Sequence, residues 1–173
     1  LDAFRDWQKL RPKLLALSQG QVPSNPRLAF DEITGLLEEV HALFHDLADK
    51  SELADAKDPV ARELAGLVVD GIFHVIEVSG ELRGLGANVL GEKEQASFKD
   101  RSQVLGLSMS LSRELARLQV DMLELSRLGL SASGGWTSAN QALQQLATRA
   151  ERDFSAPELS GSPKAHWDLC TAA

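Results

Sequence analysis

The sequence predicts an all-α fold, an elongated antiparallel bundle of six helices. Leu and Ala dominate a chain that contains no Tyr, and such a composition is typical of helical proteins. Apolar residues recur at alternating spacings of three and four, the pattern of a helix that buries one face. At three places a residue with a capping side chain stands directly before proline, a pair that is favoured where a helix begins.

These features predict where each helix lies. We expect helices at residues 3–18, 26–50, 59–90, 94–128 and 138–154, and a sixth from residue 163 that is cut off by the end of the chain. The second, third and sixth begin at Asn25-Pro26, Asp58-Pro59 and Ser162-Pro163. The fifth begins at Ser138, because Gln141 three residues later would complete a capping box.

Helices two to five each carry an apolar face that we expect to point into the core. These faces comprise Ile33, Leu36, Leu37, Val40, Leu43, Phe44 and Leu47 on the second helix; Leu64, Leu67, Val68, Ile72, Val75, Ile76, Leu82 and Val89 on the third; Val104, Leu111, Leu115, Leu118, Met122 and Leu125 on the fourth; and Leu143, Leu146 and Ala150 on the fifth. Helices three and four are each about 45–55 Å long at 1.5 Å per residue. Such lengths favour a rod, either one long bundle or two stacked four-helix modules that share the long helices.

The third helix contains five glycines: Gly66, Gly71, Gly80, Gly84 and Gly86. Each costs about 1 kcal/mol relative to Ala in a helix interior. We therefore expect something outside the helix to require them, either the close approach of another helix or, more specifically, a bend or a ligand. Gly66, Gly80 and Gly84 share one side of the helix, which favours a dimer contact or packing against helix one or two.

Composition and motifs exclude several classes of function. The net charge of −7, with Lys and Arg interleaved among acids, argues against nucleic-acid binding. Cys170 is the only cysteine, so neither an intrachain disulfide nor a cysteine cluster for zinc can form. The motifs of nucleophilic hydrolases, phosphate-binding loops and dinucleotide-binding domains are missing. We expect no catalytic residue, no cofactor and no enzymatic activity in this segment.

The chain has no apolar run of 18 or more residues, the length needed to cross a membrane. It begins at Leu1 rather than Met and shows no signal peptide. We interpret it as an excised or processed piece of a longer protein. An even number of antiparallel helices returns both chain ends to one side, as a domain inserted between two membrane spans requires.

His41 and His45 lie four residues apart, with Glu38 three residues before His41. This spacing can place two imidazoles and a carboxylate around one metal ion. Helical geometry, however, puts all three on the face opposite the apolar face of the second helix. Two histidines without a third strong ligand form a weak site, so we expect a surface pair and no metal.

Arg83 and Arg101 are the candidate ligand-binding residues. Arg83 lies eight residues before the Gly91 turn and Arg101 about eight residues into the fourth helix, so an antiparallel hairpin places them at the same height. Two guanidinium groups at one level could hold an anion, and Gly84 would let the ligand approach closely. The alternative is that each arginine pairs with a nearby acid and contributes little to stability. The nearby acids are Glu81, Glu92, Glu94 and Asp100.

Three stretches resemble the helical extracytoplasmic sensor domains of bacterial transmembrane receptors. They are residues 49–55, the Glu-Leu-Arg-Gly-Leu-Gly-Ala run at 81–87, and a tail with Pro157, Leu159, residues 163–167 and Thr171-Ala172. Domains of this family precede histidine kinases, chemotaxis receptors and diguanylate cyclases. A more distant similarity is to nitrate- and nitrite-sensing helical domains, whose anion ligands are arginines. The chain departs from the family at residues 60–64, which are aromatic-rich in relatives, and at Phe73-His74, where relatives have Leu-Pro.

The resemblance implies a single domain, residues 1–173, that senses a signal in the periplasm for a membrane-bound two-component histidine kinase. It implies an unknown small-molecule ligand, with an anion as one candidate, and a homodimer that passes helix displacement across the membrane. The domain would lie on the extracytoplasmic face of the bacterial inner membrane, anchored by segments outside this chain. A chemotaxis receptor or diguanylate cyclase could carry the same domain. The alternative of another class is a soluble helical adaptor that binds partner proteins through exposed stripes.

Overall fold

The computed structural model describes residues 2–21, 23–92, 95–131, 134–159 and 161–172. Every regular element in these ranges is a helix, which confirms the predicted all-α fold. The chain divides into two compact units, Leu1–Phe73 and His74–Ala173. None of the described helices is both long and apolar enough to span a membrane.

The first unit is built around a pair of helices, α1 (Asp2–Ser18) and α2 (Pro26–Lys50), which pack against each other. A 3₁₀ turn (Leu53–Asp55) leads to α3 (Pro59–Gly66), and a π-helical stretch (Leu67–Ile72) follows α3 directly. α3 contacts the 3₁₀ turn, and the π-helical stretch contacts α2. The buried apolar side chains of this unit are Ala3, Leu10, Leu36, Leu67 and Val69.

The second unit contains α4 (Phe73–Glu92), α5 (Phe98–Arg127), α6 (Gly134–Ser155) and α7 (Pro163–Ala172). α5 and α6 pack along each other, and α7 packs against α6. The predicted apolar faces of the fourth and fifth helices are largely confirmed. Their fully buried members are Val104, Leu111, Leu115, Leu118, Leu125, Leu146 and Ala150, while Met122 and Leu143 are half-buried.

All three predicted caps before proline are confirmed. The Asn25 side chain accepts a hydrogen bond from Leu28 N at 3.3 Å, and the Asp58 carboxylate accepts one from Val60 N at 3.0 Å. Ser162 Oγ accepts one from Ala165 N at 3.3 Å. Each bond satisfies a backbone N–H that has no partner within its helix. The sequence therefore locates the starts of α2, α3 and α7 correctly.

Two other predicted helix starts are wrong. α6 begins at Gly134, so Ser138 lies one turn inside it and its Oγ donates to Gly134 O at 3.4 Å. α5 begins at Phe98 and not near Glu94, which lies outside the described residues. Its start is fixed by a capping box between Ser97 and Asp100, which closes the first turn of the helix.

The predicted third helix contains a π-helical stretch that its periodicity did not reveal. Hydrogen bonds in such a turn reach back five residues, so the side chains leave the 3.6-residue phase on which the prediction rested. Leu67, Val69 and Gly71 are buried within it, and Val75, Leu82 and Val89 are buried beyond it. The predicted core residues Leu64, Val68, Ile72 and Ile76 are exposed instead.

We predict that Ser97→Ala lowers the free energy of unfolding by about 1 kcal/mol. The substitution removes the acceptor for Asp100 N, at 3.1 Å from Ser97 Oγ, and breaks the capping box of α5. The measurement is the urea midpoint. Ser102→Ala is the matched control, because Ser102 is exposed inside the same helix, where Ala is the better helix former. Equal losses in the two variants would contradict the capping role.

Candidate functional site

α7 contacts α4 where the His166 imidazole covers Gly86. A β-carbon placed on Gly86 would stand 2.8 Å from His166 Cε1 and 3.0 Å from Cδ2, and closer still to Nε2. Real β-carbons do not approach other atoms this closely. Gly86 is therefore required because a ring from another helix occupies the space beside it.

His166 is held in this place by contacts to two helices. Its Nε2–H donates to the Leu82 carbonyl oxygen at 3.0 Å, and because a carbonyl can only accept, the proton of the neutral ring lies on Nε2. Phe154 of α6 meets the ring edge-on, with centroids 5.7 Å apart. The side chain is only 4% exposed. His166 thus fixes α7 against both α4 and α6.

Arg83 makes a second link between α4 and α7. Its guanidinium carbon lies 4.6 Å from the ring centroid of Trp167, a distance typical of a cation–π contact. Its Nε is buried and has no hydrogen-bond partner among the described residues. A buried donor without an acceptor costs about 1–3 kcal/mol. An acceptor that reached this nitrogen would recover that energy.

Cys170 lies one turn after His166, with its Sγ 3.5 Å from His166 Nε2. Burial raises the pKa of the Cys170 thiol to about 11, although the positive charge of Arg83 acts in the opposite direction. The thiol is therefore protonated at neutral pH and is a poor nucleophile. We call Arg83, Gly86, His166, Trp167 and Cys170 the α4–α7 cluster. Its chemistry suits binding and positioning, and does not suit thiolate catalysis.

Arg101 of α5 caps the C-terminal end of α6. Its Nε and Nη2 donate to the Phe154 carbonyl at 3.3 and 3.0 Å, and its Nη1 donates to the Pro157 carbonyl at 3.2 Å. Nη2 also donates to the carbonyl of Ala156. Carbonyl groups at a helix C-terminus lack partners within the helix and carry partial negative charge. Arg101 satisfies several of them at once.

The two arginines of the predicted anion site therefore have different partners. Arg83 lies over Trp167, whereas Arg101 is engaged by carbonyl groups that end α6. Gly84 follows Arg83 on α4 and is half-buried. Glu94, one of the acids considered as an alternative partner, lies outside the described residues. That Arg83, Arg101 and Gly84 bind an anion stays a prediction.

The prediction that His41 and His45 face away from packed structure is wrong. Both are half-buried, and the π-helical stretch packs beside them. His41 Nε2 lies 3.0 Å from Val69 O, and His45 Nε2 lies 3.4 Å from Asp70 Oδ1. Helical geometry located the apolar face of α2 only in part, because Leu36 is buried whereas Ile33, Phe44 and Leu47 are exposed. It also could not show that another segment covers part of the opposite side. Glu38 is exposed.

Two glycines of the predicted dimer contact have open surroundings. A β-carbon on Gly66 or Gly80 would meet no described atom within 4 Å, apart from its own helix and neighbours. For Gly66, packing against helix one or two is therefore not seen among the described residues. Whether they contact a second copy of the chain stays a prediction.

Sequence reasoning missed His166 and Cys170 as members of a site. The glycines indicated that something approaches the third helix closely, but Gly86 gave no indication of which helix or side chain does so. The available signal was the four-residue spacing of His166 and Cys170, which places both on one side of α7. Leu82 and His166 are 84 residues apart, and no local pattern connects positions so distant.

Comparison with known protein families, with curated protein sequences and with solved structures finds no match. The geometry of the α4–α7 cluster is therefore the main structural basis for a functional proposal.

We predict that Gly86→Ala lowers the free energy of unfolding by about 1–3 kcal/mol, because the added methyl group overlaps a buried ring. Gly80→Ala is the matched control on the same helix. It adds a methyl group into open space, and replacing Gly by Ala there should stabilise the protein by up to about 1 kcal/mol. Urea unfolding measures both.

Combining Gly86→Ala with His166→Ala tests the cause of the loss. The double variant should lose less stability than the sum of the two single variants, because the ring that the methyl group strikes is gone. Strict additivity, or a Gly86→Ala protein as stable as wild type, would show that the ring does not constrain residue 86.

We predict that stability falls as the pH drops below about 6.5. Burial lowers the pKa of His166 from its ordinary 6.5, and the positive charge of Arg149 lowers it further. The hydrogen bond to Leu82 and the negative charge of Asp153 act in the opposite direction. Between the lowered pKa and 6.5 the unfolded chain binds a proton that the folded protein does not. The contribution of the neutral His166 ring to the free energy of unfolding is complete above pH 6.5. Below pH 6.5 it declines by at most about 1.4 kcal/mol per pH unit.

Urea unfolding of wild type and His166→Gln between pH 7.5 and 5 measures the effect. The difference between the two proteins isolates His166 from the other three histidines, and it should change with pH only below about 6.5. Parallel stability curves for the two proteins would exclude a buried neutral ring at position 166.

Proposed function

We propose that this chain is the periplasmic signal-sensing domain of a membrane-bound two-component sensor histidine kinase. It would bind a small anion and pass a displacement of its helices across the membrane, acting as a homodimer on the extracytoplasmic face of the bacterial inner membrane. Anchoring would come from segments outside this chain, and the catalytic steps would belong to the kinase part of the protein.

The observation that carries the proposal is that two stretches of the resemblance meet in space. The run at 81–87 contributes Arg83 and Gly86, and the tail contributes His166 and Trp167. The bond between His166 Nε2 and Leu82 O joins the two stretches across 84 residues of sequence. Stretches that resemble a family and also form one cluster support a shared site better than stretches that lie apart.

Arg83 supplies the ligand-binding chemistry of this cluster. A guanidinium carries its N–H groups in one plane, where planar oxyanions can accept two hydrogen bonds. The buried Nε–H lacks an acceptor among the described residues. Nitrate, nitrite or a carboxylate would provide one and would also compensate the positive charge.

Signalling would use the contact between α7 and α4. A ligand shifts an equilibrium between two helix arrangements only by its difference in affinity for them. An anion on Arg83 competes with Trp167 for the guanidinium, so it favours a state in which α7 has moved relative to α4. Displacements of one or two ångströms between packed helices are typical of such switches.

A thermal-shift screen of nitrate, nitrite and small carboxylates on the 173-residue chain tests the proposal. At one hundred times the dissociation constant, a bound anion stabilises the fold by about 2.7 kcal/mol. Arg83→Ala should abolish the shift in melting temperature, and Arg83→Lys should weaken it because lysine lacks the guanidinium fork.

Arg113→Ala is the matched control, since Arg113 is an exposed arginine on α5 with 72% of its side chain accessible. It removes the same charge and should leave the shift intact. A shift that Arg83→Ala and wild type share, or one that Arg113→Ala abolishes equally, would contradict an anion site at Arg83.

Two alternatives lead to different experiments. Sensor domains of chemotaxis receptors and diguanylate cyclases fit the same residues and differ only in the cytoplasmic part. A soluble adaptor is favoured by the exposed apolar side chains of α5, which are Phe98, Met109, Val120 and Leu123. Apolar runs of about 20 residues encoded before and after this segment would support the receptor. Flanking sequence without them would support the adaptor.

A further inference from the structure

Four polar atoms converge where the π-helical stretch packs against α2. His45 Nε2 lies 3.0 Å from His41 Nε2 and 3.4 Å from Asp70 Oδ1, and His41 Nε2 lies 3.0 Å from Val69 O. All four residues belong to the first unit, whereas the α4–α7 cluster belongs to the second. We call it the His41–His45 group.

The π-helical stretch explains why a backbone carbonyl takes part. The Phe73 N–H donates to Val68 O, five residues back, whereas an α-helix would direct it to Val69 O. The Val69 carbonyl is thereby made accessible to the imidazole of His41. The next residue in the same turn, Asp70, brings a carboxylate to His45.

Hydrogen bonds alone cannot satisfy all three contacts. A nitrogen of a neutral imidazole carries either a hydrogen or a lone pair, while a carbonyl and a carboxylate only accept. If both Nε2 atoms carry hydrogens, those hydrogens meet between nitrogens only 3.0 Å apart. If only one does, the lone pair of the other nitrogen faces an oxygen. Every neutral arrangement therefore leaves two like groups in contact.

We propose that His41 and His45 bind a transition-metal dication between their Nε2 atoms, with Asp70 contributing negative charge and an oxygen ligand. A cation removes the conflict, because all four atoms can then direct lone pairs at one positive centre. Imidazole nitrogens suit zinc, copper and nickel, and zinc is the first candidate because a carboxylate is also among its usual ligands.

The geometry is close to what zinc requires. Two nitrogens bound to a tetrahedral zinc ion at 2.0–2.1 Å stand about 3.3 Å apart, so the rings need to separate by only a few tenths of an ångström. Among the described residues, no group of three or more His, Cys, Asp or Glu side chains is placed to hold a metal ion. The proposed site therefore rests on the two imidazoles, and the Asp70 side chain would have to move to complete it together with water.

The surroundings of the pair favour a defined orientation and leave a path for the ion. The Phe73 ring stacks on His41 with centroids 5.1 Å apart and an angle of 11° between planes. His45 and Asp70 keep 45% and 44% of their side chains accessible. A metal ion can therefore enter from solvent and meet one imidazole that is already oriented.

Zinc titration of the 173-residue chain at pH 7.5, followed by calorimetry and by melting temperature, tests this inference. At one hundred times the dissociation constant, zinc should raise the melting temperature by about 5–11 °C. Cobalt substitution should give the visible absorption of a low-coordinate site. Affinity should fall at acidic pH, because both imidazoles must be neutral to bind.

Single variants assign the ligands. His41→Gln and His45→Gln should each weaken zinc binding by at least about a hundredfold, and Asp70→Asn by at least about tenfold. His74→Gln is the matched control: it removes a half-buried histidine that pairs with Glu77 and should leave the affinity unchanged. The melting temperature of each variant without metal verifies that it folds.

Three results would overturn the inference. One is zinc affinity that is the same in wild type, His41→Gln and His45→Gln. Another is a loss of affinity in His74→Gln as large as that in His45→Gln. The third is a wild-type protein that gives no cobalt spectrum of a low-coordinate site, which would show that the two imidazoles do not bind a metal ion together.

Discussion

The imidazole of His166 can pack onto α4 only because residue 86 has no side chain. Packed interiors leave no spare volume for even one methyl group, so this single position sets how closely α7 approaches. The neighbouring contacts depend on it. At this separation Nε2–H reaches Leu82 O, Trp167 lies over Arg83, and the Cys170 thiol is buried deeply enough for its pKa to rise to about 11.

The two arginines of the second unit differ in how firmly they are held. Arg101 donates several hydrogen bonds to carbonyl groups at the end of α6, and charged hydrogen bonds of this kind contribute about 1.5–3 kcal/mol each. Arg83 is held by a cation–π contact worth about 0.5–2 kcal/mol, and its Nε lacks an acceptor in the described part of the chain. Moving Arg83 away from Trp167 would therefore cost less than withdrawing Arg101 from the carbonyl groups that end α6. If the proposed anion binds, Arg83 is the arginine that can change partners at the lower cost.

Local patterns in the sequence predicted what depends on neighbouring residues. The caps at Asn25, Asp58 and Ser162 and the buried face of α5 followed from spacings of two to four residues, and they were confirmed. Ser138 was mistaken for a helix start because the Gly134-Gly135 pair reads as a break, yet glycines at a helix start are tolerated.

The contact between Gly86 and His166 could not be predicted, since it joins residues 80 positions apart through tertiary packing. The partners of the candidate ligand-binding residues Arg83, Arg101 and Gly84 could not be predicted from periodicity either. No spacing rule identifies, for example, the carbonyl groups that Arg101 caps.

The π-helical stretch explains why His41 and His45 of α2 are half-buried on a side of the helix that its own periodicity assigns to solvent. A π turn is less stable than an α turn and persists where tertiary contacts compensate it. Here the compensation comes from Val69 O and Asp70, which reach His41 and His45, and from the Phe73 ring, which stacks on His41. Shifting the turn back to α geometry would return Val69 O to the Phe73 N–H and remove its partner role for His41. The irregular turn and the histidine pair therefore stabilise each other, and a cation bound by the pair would strengthen both.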